Sequence, residues 1–474
     1  MATPSSPPRK ACRHGQIRTW PRDAGAARLL IVATLTHICN VDVATEDERN
    51  PALTAKCFCR KRSTNQSVCA RDLRCSLQQT HMTIGSAPPK RSDFLPFSPP
   101  TIGEEEIREV VDTLRSHWIS TGPKTKRFET EFAAFLQAPG ALALNSCTAA
   151  LHTALKTLGL APGDEVITTP MTFTASVNVI EHVGARPVLV DVEPDTLNID
   201  PCKVEAAITP RTRAILPVHY AGHPADLDAL RALAEAHRCD VIEDAAHALP
   251  ASYKGRPIGS EGNPVAFSFY ATKNLTTGEG GMLTADPEFL ARARVISLHG
   301  MSRDAWKRYD KGGSWFYEVL VPGFKYNMTD IQAALGLWQL RKLEQFQARR
   351  RAVVSEYDRA FADEPALEGP VTRPDVEHAW HLYVLRLRDD ALSIGRDRFI
   401  QELADRNIGT SVHFIPIHIH PYYRDKYGYT ADTFPVAYDN YRRMLSLPLN
   451  PGLTDGDVSD VIEAVLDIVR GFRA

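Results

Sequence analysis

An α/β fold, built on a mostly parallel sheet covered by helices on both faces, is predicted for this 474-residue chain by three observations. Short apolar runs alternate with amphipathic stretches of helical period through its middle, which is the rhythm of βαβ units. Candidate reactive residues fall where those runs stop, at the carboxyl ends of the strands, and this is where open parallel sheets bind ligands. Hydrophobic residues make up 43% of the chain, enough for a large buried core and two or three domains.

The chain begins differently from the rest. Residues 1–81 carry 13 Lys and Arg against 6 Asp and Glu, whereas the remainder carries 42 against 51. The same segment holds six of the nine cysteines: Cys12, Cys39, Cys57, Cys59, Cys69 and Cys75. Its apolar run from Leu29, LLIVATLTHICNV, is too short to span a bilayer and is interrupted by His37. A secretory signal is disfavoured by its late position, and a transit peptide by the acidic cluster Asp42, Glu46, Asp47 and Glu48. The cysteine spacing lacks the CxxC pairs of structural zinc sites. Met82 opens a polar, Pro-rich leader that runs into a helix. Residues 1–90 are therefore expected to be a disordered extension or a start-site artefact, followed by a large domain over 91–340 and a small C-terminal α/β domain over 341–474.

From Thr101 the elements read in order. Thr101 and Glu104 form a capping box, and Ile107, Val110, Val111, Leu114 and Trp118 mark one helical face. TKRFETEFAAFLQA is a second amphipathic helix and ALALNS an apolar strand. This strand stops in Asn145-Ser146-Cys147-Thr148-Ala149-Ala150, at the start of the helix ALHTALKTLG. Backbone amides and the helix dipole point the same way there, which suits a phosphate. DEVITTP, RPVLVDV, RAILPVHYAG, CDVIEDA and PVAFSFY are further strands, separated by FTASVNVIEHVG, DPCKVEAAI and ADLDALRALAEAHR as helices. After the glycine-rich turn at Gly278 come a helix, a polar loop and a long helix starting near Thr329, which connects to the C-terminal domain. There HAWHLYVLRL and TSVHFIPIH read as strands, and GRDRFIQELADRN and TDGDVSDVIEAVLDIVR as helices.

The chemistry concentrates between Asp244 and Lys273. A carboxylate ending one buried strand and an amine just past another suit pyridoxal phosphate. The lysine can form a Schiff base with its aldehyde, Asp244 can keep the pyridine nitrogen protonated, and the Ser268 hydroxyl can bond the phosphate. Phe173 follows a strand and a proline, and either stacks on the cofactor or packs in the core. Neither GxGxxG nor GxxxxGK[ST] occurs where a dinucleotide or P-loop site would need it. His413, His418 and His420 read as loop histidines lining a substrate pocket rather than as metal ligands, and no metal is expected. No basic-aromatic pattern points to nucleic acid.

From Phe94 to its end the chain resembles the DegT/DnrJ/StrS family of sugar aminotransferases. The likeness lies in PFSPPTIGEEEI, WISTGP, LNSCTAALHTAL, TTPMTFTASVN, VDVEPDTLNID, PVHYAGHPADL, VIEDAAHAL, SFYATKNLTTGEGGM, HGMSRDAW, PGFKYNMTDIQAALG and SVHFIPIHIHPYY, in the family's order. It is particularly similar to the branch that aminates UDP-4-keto sugars, represented by UDP-4-amino-4-deoxy-L-arabinose oxoglutarate aminotransferase. The resemblance implies the fold-type I aminotransferase architecture and a cytoplasmic homodimer with shared active sites. It implies transfer of an amino group from an amino acid, glutamate, to a nucleotide-linked keto-sugar. Carried over by motif, Lys273 is the Schiff-base lysine and Asp244 the pyridinium partner. Ser268 with Thr148 and Ala149 holds the phosphate, Phe173 stacks on the ring, and His247 contacts the phenolic oxygen or pocket wall. Asn327 reaches the neighbouring subunit's cofactor phosphate, and His413 and His418 face substrate. Pro250 and residues 1–81 depart from the family pattern. Two alternatives stand beside this reading: a cofactor-dependent keto-deoxysugar dehydratase, disfavoured by the presence of Lys273, and a non-catalytic binding protein on the same fold.

Overall fold

The computed structural model describes residues 91–302 and 316–474. The expectations for residues 1–90, and for the part of the polar loop at 303–315, lie outside the described residues.

Helices α1 (Glu104–Arg115) and α2 (Pro123–Leu136) lead into β1 (Ala141–Leu144), α3 (Cys147–Leu158), β2 (Glu165–Thr168), α4 (Thr174–His182) and β3 (Arg186–Leu189). The alternation continues through α5 (Pro201–Ala207), β4 (Thr212–Ile215), α6 (Leu227–His237), β5 (Asp240–Val241) and β6 (Glu243–Asp244). A small hairpin, β7 (Ser252–Tyr253) and β8 (Arg256–Pro257), precedes β9 (Val265–Ser268), β10 (Gly281–Thr284) and α7 (Pro287–Ser297). The 32-residue α8 (Asp330–Phe361) then carries the chain to β11 (Leu367–Glu368), β12 (Val376–Glu377), β13 (Tyr383–Leu387) and α9 (Arg396–Asp405). Helices α10 (Pro421–Tyr427) and α11 (Pro435–Arg443), strand β14 (Met444–Leu447) and helix α12 (Asp455–Gly471) complete it.

Strands β3, β2, β4 and β5 are parallel neighbours. Strand β6 pairs parallel with β9, and β10 lies antiparallel between β9 and β1. Only Ile242 separates β5 from β6. Its N–H reaches the Ile215 carbonyl at 3.0 Å, and the Asp244 N–H reaches the Pro217 carbonyl at 2.9 Å. The two ladders thus join in the order β3-β2-β4-β5/β6-β9-β10-β1. This is the mostly parallel sheet expected, with β10 running against the rest.

Alternation along the central strands supplies two cores. Ala141, Ala143, Val265, Phe267 and Met282 face one side and pack with Phe128 and Phe132 of α2 and Leu337 and Leu340 of α8. Leu142, Leu144, Ala266 and Leu283 face the other and pack on Ala150, Leu151, Ala154 and Leu155 of α3. A third core joins β13 and β14 to the second half of α8 and to α12, through Tyr357, Phe361, Leu385, Leu445, Val465 and Ile468. The 340/341 boundary drawn from sequence falls inside α8, which contributes to the first and third cores alike. Asp330, the first residue of α8, is buried, and its carboxylate accepts from the N–H groups of Gly122, Lys124 and Thr125. One side chain thereby caps α2 and locks α8 to it. Among the described residues no helix is long and apolar enough to cross a membrane.

Three local expectations are corrected. Helix α1 is capped at Gly103 rather than Thr101: the Gly103 N–H donates to Glu106, a buried carboxylate that also pairs with Lys342, and this draws the helix start inward. The apolar stripe of α1 is not buried, since Ile107 is 48% and Leu114 51% exposed, and Trp118 beyond the helix is 46% exposed. TSVHFIPIH forms no strand. Ser411 makes an isolated bridge to Ser446, and a 3₁₀ turn follows Pro416, whose missing N–H cannot join a ladder. The partner of β13 is β14, MLSL, a four-residue run too short to show a period.

Candidate active site

Strand ends β1, β6 and β9, together with the turn after β9, surround a cavity of about 490 Å³. Thr148, Phe173, Asp244, His247, Ser268, Lys273 and His413, all singled out from sequence, line it. Helix α3 meets the cavity with its N-terminus, capped by Ser146, whose Oγ accepts from the Ala149 N–H at 3.1 Å. Ala149 is itself buried and acts through this cap, whereas the Thr148 side chain faces the cavity. Gly281 brings β10 against that helix start: a Cβ there would stand 2.4 Å from the Ser146 carbonyl carbon. Any larger residue would push α3 off the cavity.

Asp244 is 5% exposed. Its Oδ2 accepts from Ser176 Oγ at 2.7 Å and its Oδ1 from the Ala246 N–H at 3.0 Å. Burial raises its pKa above the usual carboxylate range, and these two donors oppose the rise. Behind it, His219 Nδ1 accepts from the Ala225 N–H, so Nε2 carries the proton and donates to Glu243 at 3.0 Å. Lys273 lies in the turn after β9, its N–H bonded to the Tyr270 carbonyl at 2.9 Å. Burial pushes its amine down to about 8, with Cys147 and Asp244 acting in the opposite sense. Burial also holds the His247 and His381 imidazoles well below their ordinary value and brings His413 to about 4.

Phe173, at the N-cap of α4, is 61% exposed and tilts against Phe414 at 6.0 Å, so it is not a core packing residue. His247 stacks on Phe414 at 5.5 Å, and its buried Nδ1 has no hydrogen-bond partner. His413 donates to or accepts from Ser446 Oγ at 2.9 Å. His418 is not among the residues lining the cavity: it is fully buried, with Nε2 toward the Ala431 carbonyl and its ring against Phe434. Asn327 also lies off the cavity lining, donating to Thr121 Oγ1 at 2.6 Å. Ser176, Cys147, Tyr270, Glu279, His381 and Phe414 join the site without having been singled out. Ser176 falls on the helix after Phe173, at the spacing that turns it to the same side. His381 carries no such local signal.

These residues fit pyridoxal phosphate. A buried carboxylate raised by desolvation gains from a cation placed against it, as a protonated pyridine nitrogen provides. The unpartnered His247 Nδ1 offers a polar contact on the wall, and the α3 N-terminus with Thr148 and Ser268 offers a phosphate site. The lowered Lys273 amine suits attack on an aldehyde.

Residues 100–466 match the DegT/DnrJ/EryC1/StrS aminotransferase family. The spore coat polysaccharide biosynthesis protein SpsC of Bacillus subtilis is 57% identical over 384 residues, covering 81% of this chain and 99% of that protein. Among solved structures, the sugar aminotransferase Spr1654 from Streptococcus pneumoniae in its PMP-form superimposes with a TM-score of 0.76 at 40% identity, covering 80% of this chain and 99% of that one. PseC of Helicobacter pylori, an aminotransferase involved in the biosynthesis of pseudoaminic acid, gives 0.74 at 29% identity, covering 80% and 100%. The non-catalytic alternative is thereby set aside. With its cavity and sheet order, the chain belongs to the DegT/DnrJ/EryC1/StrS aminotransferase family and is a fold-type I, pyridoxal-phosphate-dependent sugar aminotransferase.

Proposed function

We propose that this enzyme moves an amino group from an amino acid, glutamate, to a nucleotide-linked keto-sugar used in polysaccharide or other amino-sugar biosynthesis. The observation that carries the proposal is the placing of Lys273 and Asp244 in one cavity, with exposed Phe173 and Tyr270 rings beside them. The names borne by SpsC and PseC support the sugar side of it.

Lys273, Asp244, Thr148, Ala149, Ser268, Phe173 and His247 are the residues we assign to the cofactor. When bound, pyridoxal phosphate supplies an aldehyde that takes up the amino group and a ring that draws charge from the reacting carbon. Lys273 Nζ would take the proton from the donor's α-carbon and hand it to the cofactor's reacting carbon within the same half of the cycle, then move a proton the opposite way in the second half, a role its lowered pKa allows near neutrality. Asp244 keeps the ring nitrogen protonated. His413 lines the same cavity, and we assign it to the sugar. Incubating the enzyme with ¹⁵N-glutamate and a panel of UDP-, dTDP- and GDP-linked 4-keto sugars should yield one amino sugar carrying the label by mass spectrometry. No labelled product across the panel would overturn the nucleotide-sugar assignment.

The exposed Ile107 and Leu114 of α1, with exposed Trp118 and Ile119 just past its end, support a homodimer, because a helix face patterned for burial needs a cover. Asn327 is then assigned to the neighbouring subunit's cofactor phosphate. Sedimentation velocity at micromolar concentration should give about twice the 52.5 kDa chain mass, and Leu114→Asp should halve it. A monomeric wild type would refute the dimer.

A further inference from the structure

The hydrogen bonds around Asn274 fix the state of a second histidine at the lysine. Asn274 Nδ2 donates to the Leu249 carbonyl at 2.9 Å and to the Ala379 carbonyl at 2.7 Å. Both partners can only accept, so the amide is oriented with Oδ1 on its other side. That oxygen meets His381 Nδ1 at 3.2 Å and can itself only accept, so Nδ1 carries the imidazole proton. Nε2 is left as a bare acceptor, and it stands 3.5 Å from Lys273 Nζ.

The ring is held in place from its own backbone. The His381 N–H donates to the Ala221 carbonyl at 3.1 Å. Arg350, a buried side chain of α8, donates through Nη1 to the Trp380 carbonyl at 3.2 Å, the His381 carbonyl at 3.5 Å and the Leu449 carbonyl at 2.8 Å. His247 packs against the ring at 4.4 Å. A side chain clamped from three elements, with one lone pair turned to the reactive amine, is more than filling.

We propose that His381 is a positioning residue for Lys273: its unprotonated Nε2 accepts one N–H of Lys273 Nζ, fixing the direction of the amine and steadying the ammonium it becomes after taking a proton. The inference rests on the role proposed above for Lys273. No bond is made or broken to His381, and the proton stays on Lys273 until the amine delivers it within the same half of the cycle. The charged and titratable groups that share the cavity with the amine are Asp244, Glu279, Cys147, Tyr270, His247 and His413. None of these is hydrogen-bonded to Nζ; among the described residues His381 alone is.

The test uses His381→Phe, which keeps a flat ring without an acceptor, and His381→Gln, which restores an acceptor. In enzyme loaded with pyridoxamine phosphate the Lys273 amine is free. Its apparent pKa is read by competitive acetylation between about pH 6 and 10 with peptide mass spectrometry, a range that brackets lowered and ordinary lysines. Loss of a hydrogen bond to the charged form should lower that pKa by about one unit in His381→Phe, with His381→Gln near wild type. Stopped-flow reaction of the pyridoxal phosphate form with L-glutamate should slow by ~10- to 100-fold in His381→Phe and recover most of the loss in His381→Gln. An unmoved Lys273 pKa in His381→Phe, or a His381→Gln variant no better than Phe, overturns the proposal. Should Lys273→Ala run the same reaction at the wild-type rate, the Lys273 assignment itself falls, which the histidine variants alone would not reveal.

Discussion

Lys273→Ala is expected to abolish turnover, lowering the rate by at least about 10³-fold, because the residue assigned both to carry the cofactor and to move the proton is gone. The variant should still take up pyridoxamine phosphate, since the α3 N-terminus, Ser268, Asp244 and His247 are untouched by the change. Borohydride reduction of wild-type holoenzyme, followed by peptide mass spectrometry, should find a pyridoxyl group on Lys273, and the variant should carry none. An adduct on another lysine, or turnover surviving in Lys273→Ala, would sink the assignment. The pH dependence follows from burial. The folded-state amine is brought down to about 8, and only its neutral form can take a proton. The reaction of the pyridoxamine phosphate form with the keto-sugar, in which the amine starts free, should therefore speed up as pH rises through about 8 and level off above it. A lysine left at its ordinary value near 10.4 would keep the rate climbing well past that point.

The layout of the site was readable in the sequence to the extent that it is local. Thr148, Phe173, Asp244 and Ser268 each sit where an apolar run stops, and Lys273 follows in the next turn, so the strand rhythm alone gathers them at one edge of the sheet. His381 is 108 residues from Lys273, and its role depends on an amide orientation at Asn274 that no period announces. His418 shows the reverse failure of local pattern: it shares the IPIHIH run with His420, yet a 3₁₀ turn carries it into the interior against Phe434. The alternation in TSVHFIPIH imitated a strand, but tertiary pairing went to Met444–Leu447. Helix α1 kept the period of a buried element while its stripe stays exposed in the single chain. Periodicity reports that a face is to be covered, and a partner can do the covering as well as a core.

The carboxylate of Asp244 separates chemistry from architecture. Asp244→Asn keeps the shape, since an amide can still accept from the Ala246 N–H through its oxygen and donate to Ser176 Oγ through its nitrogen, but the negative charge assigned to the ring nitrogen is lost. Both halves of the transamination should slow by ~10²- to 10³-fold, the scale of losing one preorganised electrostatic contact in a desolvated site. Folding should survive, because the buried charge is a cost that the apoprotein bears without an ion-pair partner on the carboxylate among the described residues. Far-UV circular dichroism and the melting temperature should match or exceed the wild type, which excludes unfolding as the cause of lost rate. Ser176→Ala supplies the graded version. Removing a donor that opposes the burial shift raises the Asp244 pKa further, so the carboxylate is protonated at a higher pH than before. Activity should then fall away earlier on the acid side, while the rate at alkaline pH stays closer to wild type. Turnover in Asp244→Asn within about threefold of wild type would mean that the ring nitrogen is not charged during the reaction and that the carboxylate serves structure alone.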